Sequence, residues 1–283
     1  MIIDFRVRPP AGGFEKMLVL GEKKGFQFYP FDYESTESIP SALEHSMPLF
    51  MEEMRGAGIS KAVILPRSDS GLWGGVSNDE VKAAADEYPD SLLYFGSVNL
   101  DNGIRAAVLE VERAVTTLGC RGIVVEPGLC VPALMSDANR LYPVYDRCAE
   151  LGVPVVLSLS TLLGPDASYA SPVAVQRAAK DFPEVKFLIV HGSYPHIYEA
   201  IAVAAATENI YLIPDIYMNI PQVPGCDEYA KAVHFMQGRR ILFASAYPIR
   251  GLGQSVEEVK RFNLPKKYYD MLMYENAAEL LGL

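Results

Sequence analysis

The chain has 283 residues, half of them apolar, and 25 Lys and Arg against 35 Asp and Glu, a formal net charge of −10. That length and apolar share allow one large core, and the acidic balance argues against nucleic acid or an anionic membrane surface as the main partner. Four cysteines (Cys120, Cys130, Cys148, Cys226) show neither C-x-x-C spacing nor a dense framework, which predicts reduced thiols and a cytoplasmic setting.

The first element, "IIDFRVR" (2–8), is an apolar strand carrying Asp4, Arg6 and Arg8 and stopped by Pro9-Pro10. It starts without a basic leader, and no apolar run reaches the length of a membrane span, so neither signal peptide nor span is expected. Side chains at i and i+2 of a strand point the same way, roughly 6.5–7 Å apart. Arg6 and Arg8 are therefore two permanent cations that repel unless an anion or carboxylates lie between them. A long loop, 9–40, follows and carries Phe14, Phe26, Phe28, Tyr29, Phe31 and Tyr33. Loops of that length are often lids, and this one is expected over the mouth of the fold.

"SALEHSMPLFMEEMRGAG" predicts a helix opened by a Ser41–Glu44 capping box and closed at Gly56 and Gly58. Strand "KAVILP" (61–66) ends at Arg67, and a helix starts from Asn78. Strand "SLLYFGSV" (91–98) reaches Ser97 and Asn99, and the next helix stops at Gly119. "CRGIVVEP" (120–127) presents Glu126, followed by a helical segment over 136–152. "GVPVVLSLS" (152–160) ends with Ser158 and Ser160, and Pro172 after Ser171 opens the following helix. "VKFLIVHG" (185–192) ends at His191, "NIYLIPD" (209–215) at Asp215 with Tyr217 beyond it, and "RRILFASAYP" (239–248) at Ala246 and Tyr247. Helical segments "PHIYEAIAVAAATE", "CDEYAKAVHFMQG" and "PKKYYDMLMYENAAELLGL" follow these three strands in turn.

The eight strands are apolar throughout rather than alternating, which predicts burial on both faces, as in a parallel sheet. Eight strands alternating with helices, with no linker or repeat, suit a single α/β domain over 1–283, a closed (β/α)8 TIM barrel. Active sites of such barrels lie at the C-terminal strand ends. The strand-end residues are therefore the candidates.

"IIDFRVRPP", "GVPVVLSLS", "FLIVHGSYP", "RRILFASAYPI" and "YENAAELLGL" together resemble, in order and over nearly the whole chain, the amidohydrolase-related branch of the amidohydrolase superfamily. The resemblance implies an amidohydrolase-like barrel and an enzyme among hydrolases, lactonases and non-oxidative decarboxylases. The family pattern places Asp-x-His-x-His on the first strand, a His ending the fifth, His-Gly on the sixth and an Asp on the eighth, normally around a divalent metal. Here Asp4 matches and His191 is retained, but Arg6 and Arg8 replace both first-strand histidines, Ser158 the fifth-strand histidine and Ala246 the final aspartate. Arginine offers a metal no lone pair. No metal and no cofactor are expected.

In their place a substrate carboxylate suits Arg6 and Arg8, with Arg67 as a third contact. The alternative is a buried ion-pair network in which Asp4, Glu126 or Asp215 plugs the abandoned metal position. His191 is the candidate for proton transfer, with Glu126 or Asp215 as a second acid/base or as counter-ions of the arginines. Ser158 and Ser160 either contact substrate or form a nucleophile–base pair with His191, and Tyr217 and Tyr247 donate to substrate or pack. Trp73 is a weaker candidate to cap a ligand, and His45, His196 and His234 look peripheral.

The sequence thus predicts metal-independent hydrolysis of a lactone or amide, or decarboxylation, of a small anionic carboxylate, with neither nucleic acid nor membrane as partner and a homodimer left open. Two rivals remain: a metalloenzyme with ligands displaced to His191, Glu126 and Asp215, and an inactive barrel kept for ligand binding.

Overall fold

Strand β1 (Ile2–Val7) is buried along its whole length, as its apolar composition requires, and pairs in parallel with β2 (Ile59–Ile64). The computed structural model describes residues 1–17, 20, 39–68 and 73–283. The aromatic residues expected to form a lid, Phe26, Phe28, Tyr29, Phe31 and Tyr33, lie outside the described residues, whereas Phe14 is fully buried. β3 (Leu92–Tyr94) completes the first parallel ladder; β4 (Gly96–Ser97), β5 (Ile123–Val125), β6 (Val155–Ser158), β7 (Phe187–Val190) and β8 (Ile210–Ile213) form the second. β3 and β4 are the two halves of the expected third strand, parted at Phe95. There the backbone changes partners: Phe95 N–H donates to Ile64 O (3.1 Å) and Gly96 N–H to Gly122 O (2.9 Å). The Phe95 ring covers Gly122 so closely that a Cβ would lie 2.3 Å from it, which is why glycine stands there.

The expected eighth strand, 239–248, is not a regular strand. It joins its neighbours through single parallel bridges, Leu212 with Ile241 and Val7 with Tyr247. The cause is local: Arg240 (φ 58°) and Ala246 (φ 64°) adopt left-handed conformations that break the extended run near both ends. Closure between β8 and β1 is held partly by backbone bonds, Leu242 N–H to Leu212 O and Phe5 N–H to Phe243 O (both 2.9 Å). Arg8 N–H adds another, to Tyr247 O (3.0 Å), and side chains reinforce the seam. Asn219 Nδ2 donates to Ala244 O (2.7 Å), Asn276 Nδ2 to Ile241 O (2.9 Å), and Asp4 Oδ1 accepts Ser245 N–H (3.0 Å).

The predicted first helix is two, α1 (Pro40–Leu43) and α2 (Met47–Gly56), broken where His45 takes φ 48°. Ser41 is not a cap, since its N–H and Oγ both donate to Glu53 (2.9 and 2.6 Å); Ser46 caps α2 instead. α3 (Asn78–Asp86) begins from a Ser77–Glu80 capping box, so its cap lies one residue before the expected Asn78. α4 (Ile104–Thr116), α5 (Tyr142–Glu150), α6 (Pro172–Asp181) and α7 (Ile197–Ala206) fall within their predicted segments. α8 (Ile216–Asn219) was not predicted; α9 (Cys226–Phe235) was. α10 (Leu252–Arg261) was also not predicted, although it buries Leu252, Val256 and Val259 at helical spacing. α11 (Lys266–Asp270), a π-helical turn over Met271–Glu275 and α12 (Asn276–Leu281) close the chain.

Helices and strands bury one apolar layer between them, and a second fills the barrel. Ile3, Phe5, Phe95, Val124, Val156, Leu188 and Ile213 belong to that inner layer, with Phe5 and Phe95 edge-to-face at 5.7 Å. In β1, the four residues from Asp4 to Val7 run against three of β2, Ala62 to Ile64. This bulge lets Phe5 join the interior layer while Arg6 and Arg8 both reach the cavity above it.

Asp4 sits behind that bulge, fully buried, its Oδ1 accepting the N–H of Arg6 (3.1 Å) and of Ser245. Burial raises its pKa from the ordinary 3.8 to about 6, against the opposing hydrogen bonds and the Arg6 charge. Between those values the folded protein keeps a proton that the unfolded chain has released, so this group's contribution falls as pH rises, by about 3 kcal/mol in all. Asp4→Asn keeps an accepting oxygen without the charge. Urea unfolding at pH 4 and pH 7 should therefore show the variant gaining about 2 kcal/mol on wild type between the two, the rest of the linkage lying below pH 4. An unchanged difference would contradict this assignment.

Candidate active site

The C-terminal strand ends converge on a cavity lined by Arg6, Arg8, Arg67, Trp73, Ser160 and His191, with Tyr217 and an apolar wall of Leu162, Leu163, Ile216 and Ile249. Its three arginines are buried, each exposing 4% or less. They differ in their partners. Arg67 is fully engaged: its Nε donates to both oxygens of Glu126 (2.9 and 2.8 Å), its Nη2 to Oε1 (2.7 Å), and its guanidinium lies 5.2 Å from the centre of the Trp73 ring. Arg6 is partly engaged, with Nη1 3.6 Å from Asp215 Oδ2. Arg8 donates Nε to Leu65 O at 3.4 Å and, among the described residues, has no carboxylate within ion-pair distance. Burial first, then the Arg6 and Arg67 charges, hold its guanidinium well below the ordinary arginine value. Arg6 is lowered too, chiefly by burial.

Backbone strain sets the acidic and imidazole groups. His191, Gly192 and Ser193 are three successive residues with φ near +60°. Tyr229 locks that turn from α9, donating its O–H to Gly192 O (3.1 Å) and lying where a Gly192 Cβ would be, 2.6 Å away. Asp215 (φ 44°, ψ −123°) takes a conformation that residues with a Cβ rarely adopt. The two strained turns bring Asp215 Oδ1 and Oδ2 to 3.2 and 3.0 Å from His191 Nδ1. Burial, with Arg6 and Arg8 adding to it, lowers the His191 pKa below its usual 6.5 against the pull of Asp215. The ring is neutral at pH 7, Nδ1–H points at Asp215, and the lone pair is on Nε2.

Glu126, the candidate second acid/base, is instead the counter-ion of Arg67. Burial pushes its carboxyl up, but the Arg67 charge and hydrogen bonds, with Arg8 behind them, outweigh this and hold it below the usual range, so it is a poor base. Tyr217 stacks on Tyr194 (4.3 Å) and meets the His191 ring edge-on at 5.8 Å. Burial holds its phenol above the ordinary range, opposed by the neighbouring Ser160 hydroxyl, so it remains a donor. Ser160 lines the cavity; Ser158, although buried, does not. Neither serine is hydrogen-bonded to His191 among the described residues. Tyr247 is also not at the cavity. Its hydroxyl pairs with Ser41 Oγ (2.6 Å) and its ring packs on Phe50 (4.8 Å), because the chain turns away through the left-handed Ala246. Tyr229, Ile216 and Ile249 were not singled out by the sequence, and only the position of Ile216 beside Asp215 hinted at a wall residue.

A resident divalent metal does not fit these residues. Two guanidiniums stand where imidazoles would ligate, Glu126 is bound by Arg67, and Asp215 faces His191. Among the described residues no three His, Cys, Asp or Glu side chains are grouped to hold a metal ion. Among the described residues, too, no helix is long and apolar enough to cross a membrane, and all four cysteines are free and buried.

No curated protein matches the chain. Among solved structures, an uncharacterised TIM-barrel protein of Bordetella bronchiseptica is 33% identical over 99% of this chain and 98% of its own, with a TM-score of 0.89. A dihydroxybenzoic acid decarboxylase of Polaromonas, solved with manganese and 2-nitroresorcinol, is 16% identical over 100% of this chain and 97% of its own (TM-score 0.72). A probable 2-pyrone-4,6-dicarboxylic acid hydrolase of Acinetobacter baumannii, with citric acid bound, is 14% identical over 100% of this chain and 99% of its own (TM-score 0.65). The last two identities speak for the fold alone. The amidohydrolase family model matches residues 46–283, and with the strand-end site at the mouth of a parallel barrel it places the chain in the amidohydrolase family of enzymes.

Proposed function

We propose that this chain is a metal-independent hydrolase of a small carboxylated substrate, with a lactone as the bond type that best suits its groups. The buried Arg8 guanidinium, facing the cavity without a carboxylate partner among the described residues, carries the reading. An uncompensated buried charge costs several kcal/mol. A substrate carboxylate lying in the guanidinium fork removes that cost and fixes the substrate's orientation.

With the substrate held so, His191 acts as base. Nε2 takes a proton from water as its oxygen adds to the acyl carbon, while Asp215 stabilises the imidazolium through Nδ1–H. Arg6 and the Tyr217 phenol face the oxyanion that forms, and Ser160 orients the phenol. Collapse breaks the acyl–oxygen bond, and Nε2–H returns its proton to the leaving oxygen. That the Acinetobacter relative was solved with citric acid bound is consistent with a carboxylate ligand for this fold. Decarboxylation is the second reading, favoured by the activity named for the Polaromonas relative. It requires His191 to arrive protonated, against its lowered pKa.

Screening carboxylated lactones on protein dialysed against chelator tests the proposal. Turnover should persist after dialysis. His191→Asn should lower kcat at least about a hundredfold with KM nearly unchanged, as for a group acting in the transition state. Turnover that disappears on dialysis and returns with a divalent metal would contradict metal independence. Carbon dioxide release without ring opening would replace hydrolysis by the second reading.

A further inference from the structure

We propose that Glu126 determines specificity: its carboxylate fills, from inside the protein, the place of a second substrate carboxylate, so that the site selects monocarboxylates over dicarboxylates. The inference rests on the carboxylate-binding reading above and adds the number of carboxylates the substrate carries. Three buried arginines surround one cavity, but their forks are not equally open. Arg67 presents Nε and Nη2 to both oxygens of Glu126 at 2.7–2.9 Å, the side-on geometry with which a guanidinium grips a ligand carboxylate.

Glu126 reaches Arg67 from the far side. It follows β5 and borders a neighbouring hollow lined by Ser68, Asn99, Leu129 and Cys130, so this ion pair stands as a wall between hollow and cavity. Contacts give the same count. Arg67 is matched by Glu126 and Arg6 lies beside Asp215, while Arg8 has no carboxylate within ion-pair distance among the described residues. Asp4 lies behind the β1 bulge on the backbone N–H groups of Arg6 and Ser245, and its field reaches Arg6 from there. One ligand carboxylate completes the pairing at Arg8; a second meets Glu126 and Asp215 at like charge.

The test is calorimetric titration of the full chain with benzoate and with isophthalate, the same ring bearing one or two carboxylates, at fixed ionic strength. Wild type should bind benzoate at least about tenfold more tightly than isophthalate. Glu126→Gln frees the Arg67 fork and should tighten isophthalate at least about tenfold while moving benzoate by less than about threefold. The double variant Arg67→Met with Glu126→Met removes both charges and should keep the wild-type order, since the gain requires a freed Arg67. Equal binding of the two acids by wild type, an unchanged ratio in Glu126→Gln, or no binding of either acid would overturn the proposal. If Glu126→Gln does not fold, the wild-type ratio and the double variant still decide. A wild-type ratio near one alongside His191-dependent turnover would remove the role of Glu126 and leave the hydrolase reading standing.

Discussion

Three guanidiniums share one buried cavity, and the rest of the site is arranged around the cost of holding them there. In water such charges would be nearly independent, but in a low-dielectric interior their repulsion and lost hydration amount to several kcal/mol each. The protein answers this unevenly. Arg67 receives a complete counter-ion in Glu126, Arg6 shares Asp215 with His191, and Arg8 receives a single carbonyl among the described residues. A cation left short of charge inside a cavity with apolar walls is a demand for an anion. Burial keeps the His191 imidazole neutral, and the fields of Arg6 and Arg8 add to it, so the cations that await substrate also favour the free base.

Covalent geometry at the strand ends gives this arrangement its precision. His191, Ser193, Asp215 and Ala246 all take positive φ at the barrel mouth, and strain of that kind persists only where packing over-determines it. Tyr229 clamps the His191 turn. Asn219, from the short α8 that follows Asp215, ties that turn to the irregular eighth segment through Ala244. The bulge in β1 serves the same end, because it adds one residue where Arg6 must turn in beside an inward Phe5. The irregularities that make 239–248 a poor strand are therefore part of how the mouth is built.

Much of this was legible in the sequence, for identifiable reasons. Continuous apolar runs closed by polar residues mark buried parallel strands, so the barrel and its strand-end residues Arg6, Arg8, Arg67, Glu126, His191 and Asp215 could be read directly. Partnership could not. Nothing local says that Glu126 belongs to Arg67, 59 positions away, rather than to Arg6 or Arg8. Tyr247 shows a second limit: strand alternation places it at the mouth, yet one left-handed residue before it sends the ring to Phe50. The break between α1 and α2 was similarly hidden, because Ser41 followed by Glu44 satisfies the capping pattern while its hydroxyl is bound by Glu53.

The central claim is that Arg8 is held for a ligand and not for the fold. Arg8→Met decides this most directly, by calorimetric titration with benzoate together with the thermal midpoint of the same sample. The account predicts that benzoate affinity falls at least about tenfold, while the midpoint stays within about 3 °C of wild type or rises, since an uncompensated buried charge has been removed. Unchanged affinity together with a midpoint lowered by about 10 °C or more would show Arg8 to be a structural plug and contradict the account.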